Sequence, residues 1–146
     1  MSYVRIWVHV VFSIKDRTSQ ILEKTGRHAL LRHIQEQCAK KEIYLDCING
    51  YLDHLHLLIS LGKQQTIANV MQNIKGESSF WANRQRLFRD SLEWQDDYYA
   101  VSVSESQVNR VRRYILMQEQ HHSKKTYAEE ADRFMKIYGW SRIKDE

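Results

Sequence analysis

Hydrophobic and polar positions alternate over Tyr3–Phe12, with Val4, Ile6, Val8, Val10 and Phe12 on one side of an extended chain. A period of two marks a strand, because successive side chains leave opposite faces. The period then lengthens: Leu30, Leu31, Ile34 and Cys38 recur at helical spacing, which predicts a first helix over Gln20–Lys41. Two strand-like runs follow, Ile43–Tyr51 and Leu55–Leu61, joined by a connection around Leu52-Asp53 short enough to predict an antiparallel pair. Ile67, Val70, Met71, Ile74, Ser78 and Trp81 form one stripe of a second helix, whose far end runs into the basic residues Arg84, Arg86 and Arg89.

A fourth strand is expected over Tyr98–Val103, directly ahead of a helix with a marked start. Ser104 and Gln107 have the spacing of a capping box, with Val103 and Val108 placed as its hydrophobic staple. That helix is expected to run over about 105–121, and a last one over Thr126–Tyr138, stopped by Gly139. The order strand-helix-strand-strand-helix-strand is that of an α+β, ferredoxin-like split βαβ sandwich: a four-stranded antiparallel sheet, here with additional C-terminal helices. No repeat, low-complexity tract or linker interrupts it, since the chain has no proline and only five glycines, so residues 1–146 read as a single domain.

Composition narrows the class. Hydrophobic residues at 42% and charged residues at 27% suit a globular protein of 146 residues with one core. No run is long enough to span a bilayer and the first residues lack a signal pattern, so no membrane partner and a cytoplasmic location are expected. Cys38 and Cys47 have neither metal-site nor disulfide spacing and read as core residues. The net charge of +4 is compatible with a polyanionic partner without requiring one.

The candidate chemistry lies in two places. His54 and His56 flank Leu55 at the start of a strand, so both imidazoles share one face while Leu55, Leu57, Ile59 and Leu61 take the other. Such a pair serves either as half of a divalent-metal site or as hydrogen-bonded histidines lining a sheet. Tyr114 and Gln118 lie one turn apart on the capped helix, opposite its packing residues Val108, Val111 and Ile115, with His121 and His122 one turn further on. Two imidazoles and an amide oxygen supply three ligands and leave open positions for a phosphate oxygen and water. Tyr114 would then be a nucleophile beside a metal, although an isolated helical tyrosine also packs readily at a core edge with its hydroxyl satisfied.

The order of these features resembles the HUH-type single-tyrosine transposases of bacterial insertion sequences, the transposase A proteins. The resemblance runs through Val10-Val11-Phe12-Ser13, Gly50-Tyr51-Leu52-Asp53-His54-Leu55-His56-Leu57-Leu58-Ile59, Ile74-Lys75-Gly76-Glu77-Ser78-Ser79, Trp94, Ser102-Val103-Ser104, and Tyr114-Ile115 with Gln118 and His121-His122. It implies that His54, His56 and Gln118 bind Mg2+ or Mn2+ and that Tyr114 attacks a phosphate of single-stranded DNA. It also implies a homodimer, with active sites that a partner's tyrosine helix can complete in trans, acting on DNA hairpins at element ends. The loop Leu61-Gly62-Lys63 departs from the family's usual pattern in lacking proline.

Joining strands through a 5′-phosphotyrosine would conserve the bond energy and need no ATP, consistent with a sequence that has no phosphate-binding glycine loop. Candidate phosphate contacts are Lys75, Arg84, Arg86, Arg89, Arg110, Arg112, Arg113, Lys124 and Lys125, and Trp81, Trp94 and Trp140 are candidates for base stacking or for packing. The alternatives are a domesticated relative without a mobile element, a metal-dependent phosphodiesterase in which water attacks, and a non-catalytic nucleic-acid-binding module. The last would lack the aromatic signature of RNA-recognition sheets.

Overall fold

A computed structural model of the chain describes residues 1–15, 22–118 and Glu129. Apart from Glu129, the expected final helix over 126–138, with Gly139, Trp140, His121, His122, Lys124 and Lys125, lies outside those residues. The strands are β1 (Ile6–Ser13), β2 (Tyr44–Gly50), β3 (His54–Leu61) and β4 (Tyr99–Val103), and the α-helices are α1 (Lys24–Lys40), α2 (Ile67–Arg84) and α3 (Val108–Leu116). The sheet has the order β2-β3-β1-β4. Every neighbouring pair is antiparallel, which is the α+β split βαβ arrangement expected from the pattern.

One face of the sheet is an apolar floor. Val8, Val10, Phe12 and Ile14 from the first strand join Leu55, Leu57 and Ile59 from β3 and close against Leu30, Leu31, Ile34 and Cys38 of α1 and Val70, Met71, Ile74 and Ala82 of α2. Phe12, Leu55, Leu57 and Ile59 are fully buried, and each such side chain contributes about 1.5–3 kcal/mol relative to exposure. Trp94 belongs to this floor: it meets Phe12 edge-on at 4.7 Å and its Nε1 donates to Ser78 Oγ at 3.0 Å. Trp81 is half-buried and stacks on His33 of α1 at 3.9 Å, so the stripe predicted for α2 reaches the core through Ala82 at its end.

The other face carries a smaller cluster, Trp7, Cys47, Leu58 and Val103, under Val108, Val111 and Ile115 of α3. Both cysteines are buried, as their sequence context suggested. Helix α3 is tied down polar group by polar group. Arg112 makes a two-pronged contact with Asp46, at 2.7 and 2.9 Å, Asn49 Nδ2 donates to the Leu116 carbonyl at 3.1 Å, and Trp7 Nε1 donates to Glu105 just ahead of the helix at 2.6 Å.

Several boundaries differ from the pattern. The first strand begins at Ile6 because Ile6 pairs with Leu61, the end of β3, and earlier residues have no partner strand; Val4 and Ile6 are exposed. The first helix begins at Lys24, since the Leu22 amide is bonded instead to the Leu52 carbonyl, 2.7 Å away. The capping box is not formed. Ser104 leads into a short 3-10 turn, Glu105–Gln107, with no side-chain cap, and its hydroxyl faces that of Ser106 at 3.3 Å. Val103 and Val108 do share one cluster, so the staple survives without the box. The β2–β3 pairing shifts register between Leu45 and Cys47, an irregularity that hydrophobic alternation did not announce.

Candidate active site

The sheet face under α3 holds the polar residues that the apolar floor excludes. On β3, His54 and His56 point to this face and are fully buried, with ring centroids 5.1 Å apart. Their partners across the ladder are Ser13 and Val11 of β1. The same face of β1 carries His9, only 2% exposed, with Nε2 3.1 Å from His56 Nδ1. Burial pushes the His9 imidazolium down to a pKa of about 3, so the ring is neutral at physiological pH.

Each of His54 and His56 is held through its Nδ1. His54 Nδ1 lies 2.6 Å from the Asp53 carboxylate, which can only accept when ionised, so that nitrogen donates and Nε2 keeps its lone pair. His9 occupies the corresponding place for His56. Gln118 is fully buried and its Nε2 donates to the Tyr114 carbonyl at 3.3 Å, which leaves its side-chain oxygen as a buried acceptor.

Among the described residues, His54 Nε2, His56 Nε2 and Gln118 Oε1 are buried and make no hydrogen bond. Buried polar atoms left this way are costly unless something else engages them, and each of these three can offer a lone pair to a cation. No group of three His, Cys, Asp or Glu residues among the described residues could hold a metal. A site built on His54 and His56 therefore needs a ligand of another type, and an amide oxygen such as that of Gln118 meets that need. By their chemistry, imidazole nitrogens and an amide oxygen are donors of a kind that divalent ions accept.

Tyr114 stands beside this set in its own chain. Its ring meets His56 edge-on at 5.8 Å and His9 at 6.4 Å, and it is half-buried at the border of the apolar cluster. Sequence periodicity placed His54 and His56 on the sheet face they occupy; it set Tyr114 opposite Val108, Val111 and Ile115, whereas Tyr114 packs against the cluster those three form. Periodicity missed His9 and Asp53 as parts of the site. The available signal for His9 was a lone imidazole on the face of β1 opposite Val8 and Val10; for Asp53 it was a carboxylate adjoining a strand histidine.

The basic candidates divide. Arg84, Arg110 and Arg113 are exposed. Lys75 is engaged within the fold: its ammonium donates to the Gln95 and Asp96 carbonyls and lies 5.5 Å from the Tyr98 ring, tying α2 to the segment before β4. Burial lowers its pKa, opposed by Asp96 and Asp97. Arg112 is taken up by Asp46.

This sheet and its helices have the fold of tyrosine transposases. The chain superimposes on the structure of a REP-associated tyrosine transposase bound to a REP hairpin with a TM-score of 0.62, at 14% identity, covering 100% of this chain and 92% of that one. A second structure, of a candidate transposase from Deinococcus radiodurans R1, matches with a TM-score of 0.59 at 22% identity, over 81% of this chain and 95% of the other. The sequence is more specific than the shape: residues 2–118 match the family described as "Transposase IS200 like", and the chain belongs to that family. Among its relatives is the ISDra2 transposase TnpA of Deinococcus radiodurans, 26% identical over 118 residues, which span 75% of this chain and 81% of the relative. No helix among the described residues is long and apolar enough to cross a membrane.

Proposed function

We propose that this chain cleaves and rejoins single-stranded DNA at hairpin-marked ends, with Tyr114 as nucleophile and His54, His56 and Gln118 as ligands of Mg2+ or Mn2+. The observation that carries the reading is the juxtaposition of the Tyr114 ring with His56, 5.8 Å away, in a site where three lone-pair atoms have no hydrogen bond among the described residues. Family membership supports transposition chemistry, and the hairpin bound by the REP-associated structural relative supports the substrate class.

The Tyr114 oxygen attacks phosphorus, the bond to the 3′ oxygen breaks, and that oxygen leaves as a 3′-hydroxyl after taking up a proton, while the phenolic proton passes to solvent. A tyrosine hydroxyl ionises near pH 10, so it is a weak nucleophile at neutral pH. A divalent ion held here supplies charge stabilisation at the phosphate and orients it for in-line attack. The 5′-phosphotyrosine conserves the bond energy, and a 3′-hydroxyl from another end reverses the attack without ATP. Of these two ions, Mn2+ tolerates imidazole ligation better than the harder Mg2+.

The protein acts as a homodimer in this reading. The position of Tyr114 against His56 of its own chain supports attack within one subunit. Exposed Arg84, Arg110 and Arg113 are the candidates for phosphate contacts; Lys75 would have to give up its two carbonyls to join them.

The test is incubation of the protein with hairpin-bearing single-stranded DNA and Mn2+, followed by denaturing electrophoresis. A protein–DNA adduct that resists denaturation and falls to background in Tyr114→Phe is the expected result. Cleavage that survives Tyr114→Phe would assign the attack to water, and binding without cleavage would make the chain a non-catalytic module.

A further inference from the structure

Resting on the metal-assisted reading above, we propose that His9 is a positioning residue: it accepts a hydrogen bond from His56 Nδ1 and so holds His56 in the tautomer whose Nε2 can ligate an ion. The two H-U-H histidines are secured unequally. An ionised Asp53 can only accept from His54 Nδ1, at 2.6 Å, which sets the tautomer of a neutral His54 ring. The partner of His56 is another imidazole, Nε2 to Nδ1 at 3.1 Å, which can either accept or donate. If His9 donated, His56 would carry its proton on Nε2 and lose its ligating lone pair. If His56 donates, Nε2 is open, and this is the arrangement in which its lack of a hydrogen bond among the described residues has a use.

Placement reinforces the role. His9 is 2% exposed on β1, on the sheet face that carries His54 and His56, and its ring also borders Tyr114 at 6.4 Å. It lies two residues along β1 from the ladder partner of His56, on the same face, since Val11 pairs with His56 and His9 with Leu58. The strand that contributes no ligand and no nucleophile thus orients one ligand and packs against the nucleophile. Partners of this kind behind metal-binding histidines commonly alter affinity by about 10–100-fold when removed.

The experiment compares wild type with His9→Gln, whose amide oxygen can accept from His56, and with His9→Met, which keeps bulk but is a poor acceptor. Imidazole 15N–1H correlation spectra of the metal-free proteins report the tautomers directly. His56 is expected as the Nδ1–H form in wild type and His9→Gln, and shifted toward the Nε2–H form in His9→Met, with His54 unchanged in all three as the internal reference.

Mn2+ titration should show affinity reduced about 10–100-fold in His9→Met and largely restored in His9→Gln. An Nε2–H tautomer for His56 in metal-free wild type, or wild-type Mn2+ affinity in His9→Met, overturns the proposal. Failure of the wild-type protein to bind Mn2+ at all is a different result, which overturns the metal reading itself. Should His9→Met not fold, the wild-type tautomer alone decides.

Discussion

Burial holds the His9 imidazolium at a pKa of about 3 against an ordinary 6.5, so between those values the unfolded chain binds a proton that the folded chain refuses. The sign follows directly. The stability contributed by neutral His9 is complete above pH 6.5 and is lost as pH falls toward 3, at up to about 1.4 kcal/mol per pH unit. Urea unfolding across this range should show a steeper acid loss in wild type than in His9→Met, and equal slopes would contradict the assignment. A single imidazole among valines could be read from the sequence as an anomaly on β1. Its meaning could not, because the partner that explains it, His56, is 47 residues away and meets it only through strand pairing.

The β2–β3 connection shows how an element positions the paired histidines. Gly50 ends β2, and a side-chain carbon there would come 2.6 Å from the His54 carbonyl oxygen and against the Leu55 side chain. Glycine is needed for this close approach of backbone to the strand that carries both histidines. Gly50→Ala is expected to cost about 1–3 kcal/mol by overpacking and to weaken Mn2+ binding by moving the start of β3. Chemical denaturation and Mn2+ titration check it, and a variant with wild-type values in both would show that the turn adapts freely.

Helix α3 teaches a complementary lesson. Periodicity placed Val108, Val111 and Ile115 on one packing face, which the fold reproduces, but Tyr114 packs against that same cluster instead of opposite it, and α3 ends at Leu116, short of the expected 105–121 and of Gln118. The Ser104–Gln107 box failed because a 3-10 turn occupies those residues, with Glu105 drawn to Trp7 at 2.6 Å and to Arg5 at 3.2 Å. A local capping rule gave way to contacts about a hundred residues apart in the chain.

The molecule as a whole is a sheet with two unlike faces, and each face buries one thiol. Cys38 lies between the sheet and the first helix, and burial raises its pKa to about 11, opposed by Lys41. Cys47 lies beneath α3, and burial, with Asp46 beside it, raises its pKa to about 12. Reactive thiolate is therefore scarce at neutral pH in the folded state. A thiol reagent should label both cysteines only as fast as the protein opens. Rapid labelling in native buffer would contradict the burial, and unequal slow rates would show that the two layers open separately.

The sequence alone determined what depends on local period: four strands, the two long helices that cover one sheet face, and the side of β3 on which His54 and His56 stand. These follow from fixed geometry, two residues per strand repeat and 3.6 per helical turn, so no knowledge of the rest of the chain is required. Tertiary structure decided what depends on distant partners. It set Tyr114 against His56, took Arg112 and Lys75 into internal contacts, began β1 and α1 later than their patterns suggested, and brought His9 behind His56. Each of these is a hydrogen bond or packing choice made between residues remote in sequence, where a side chain's chemistry is legible but its partner is not.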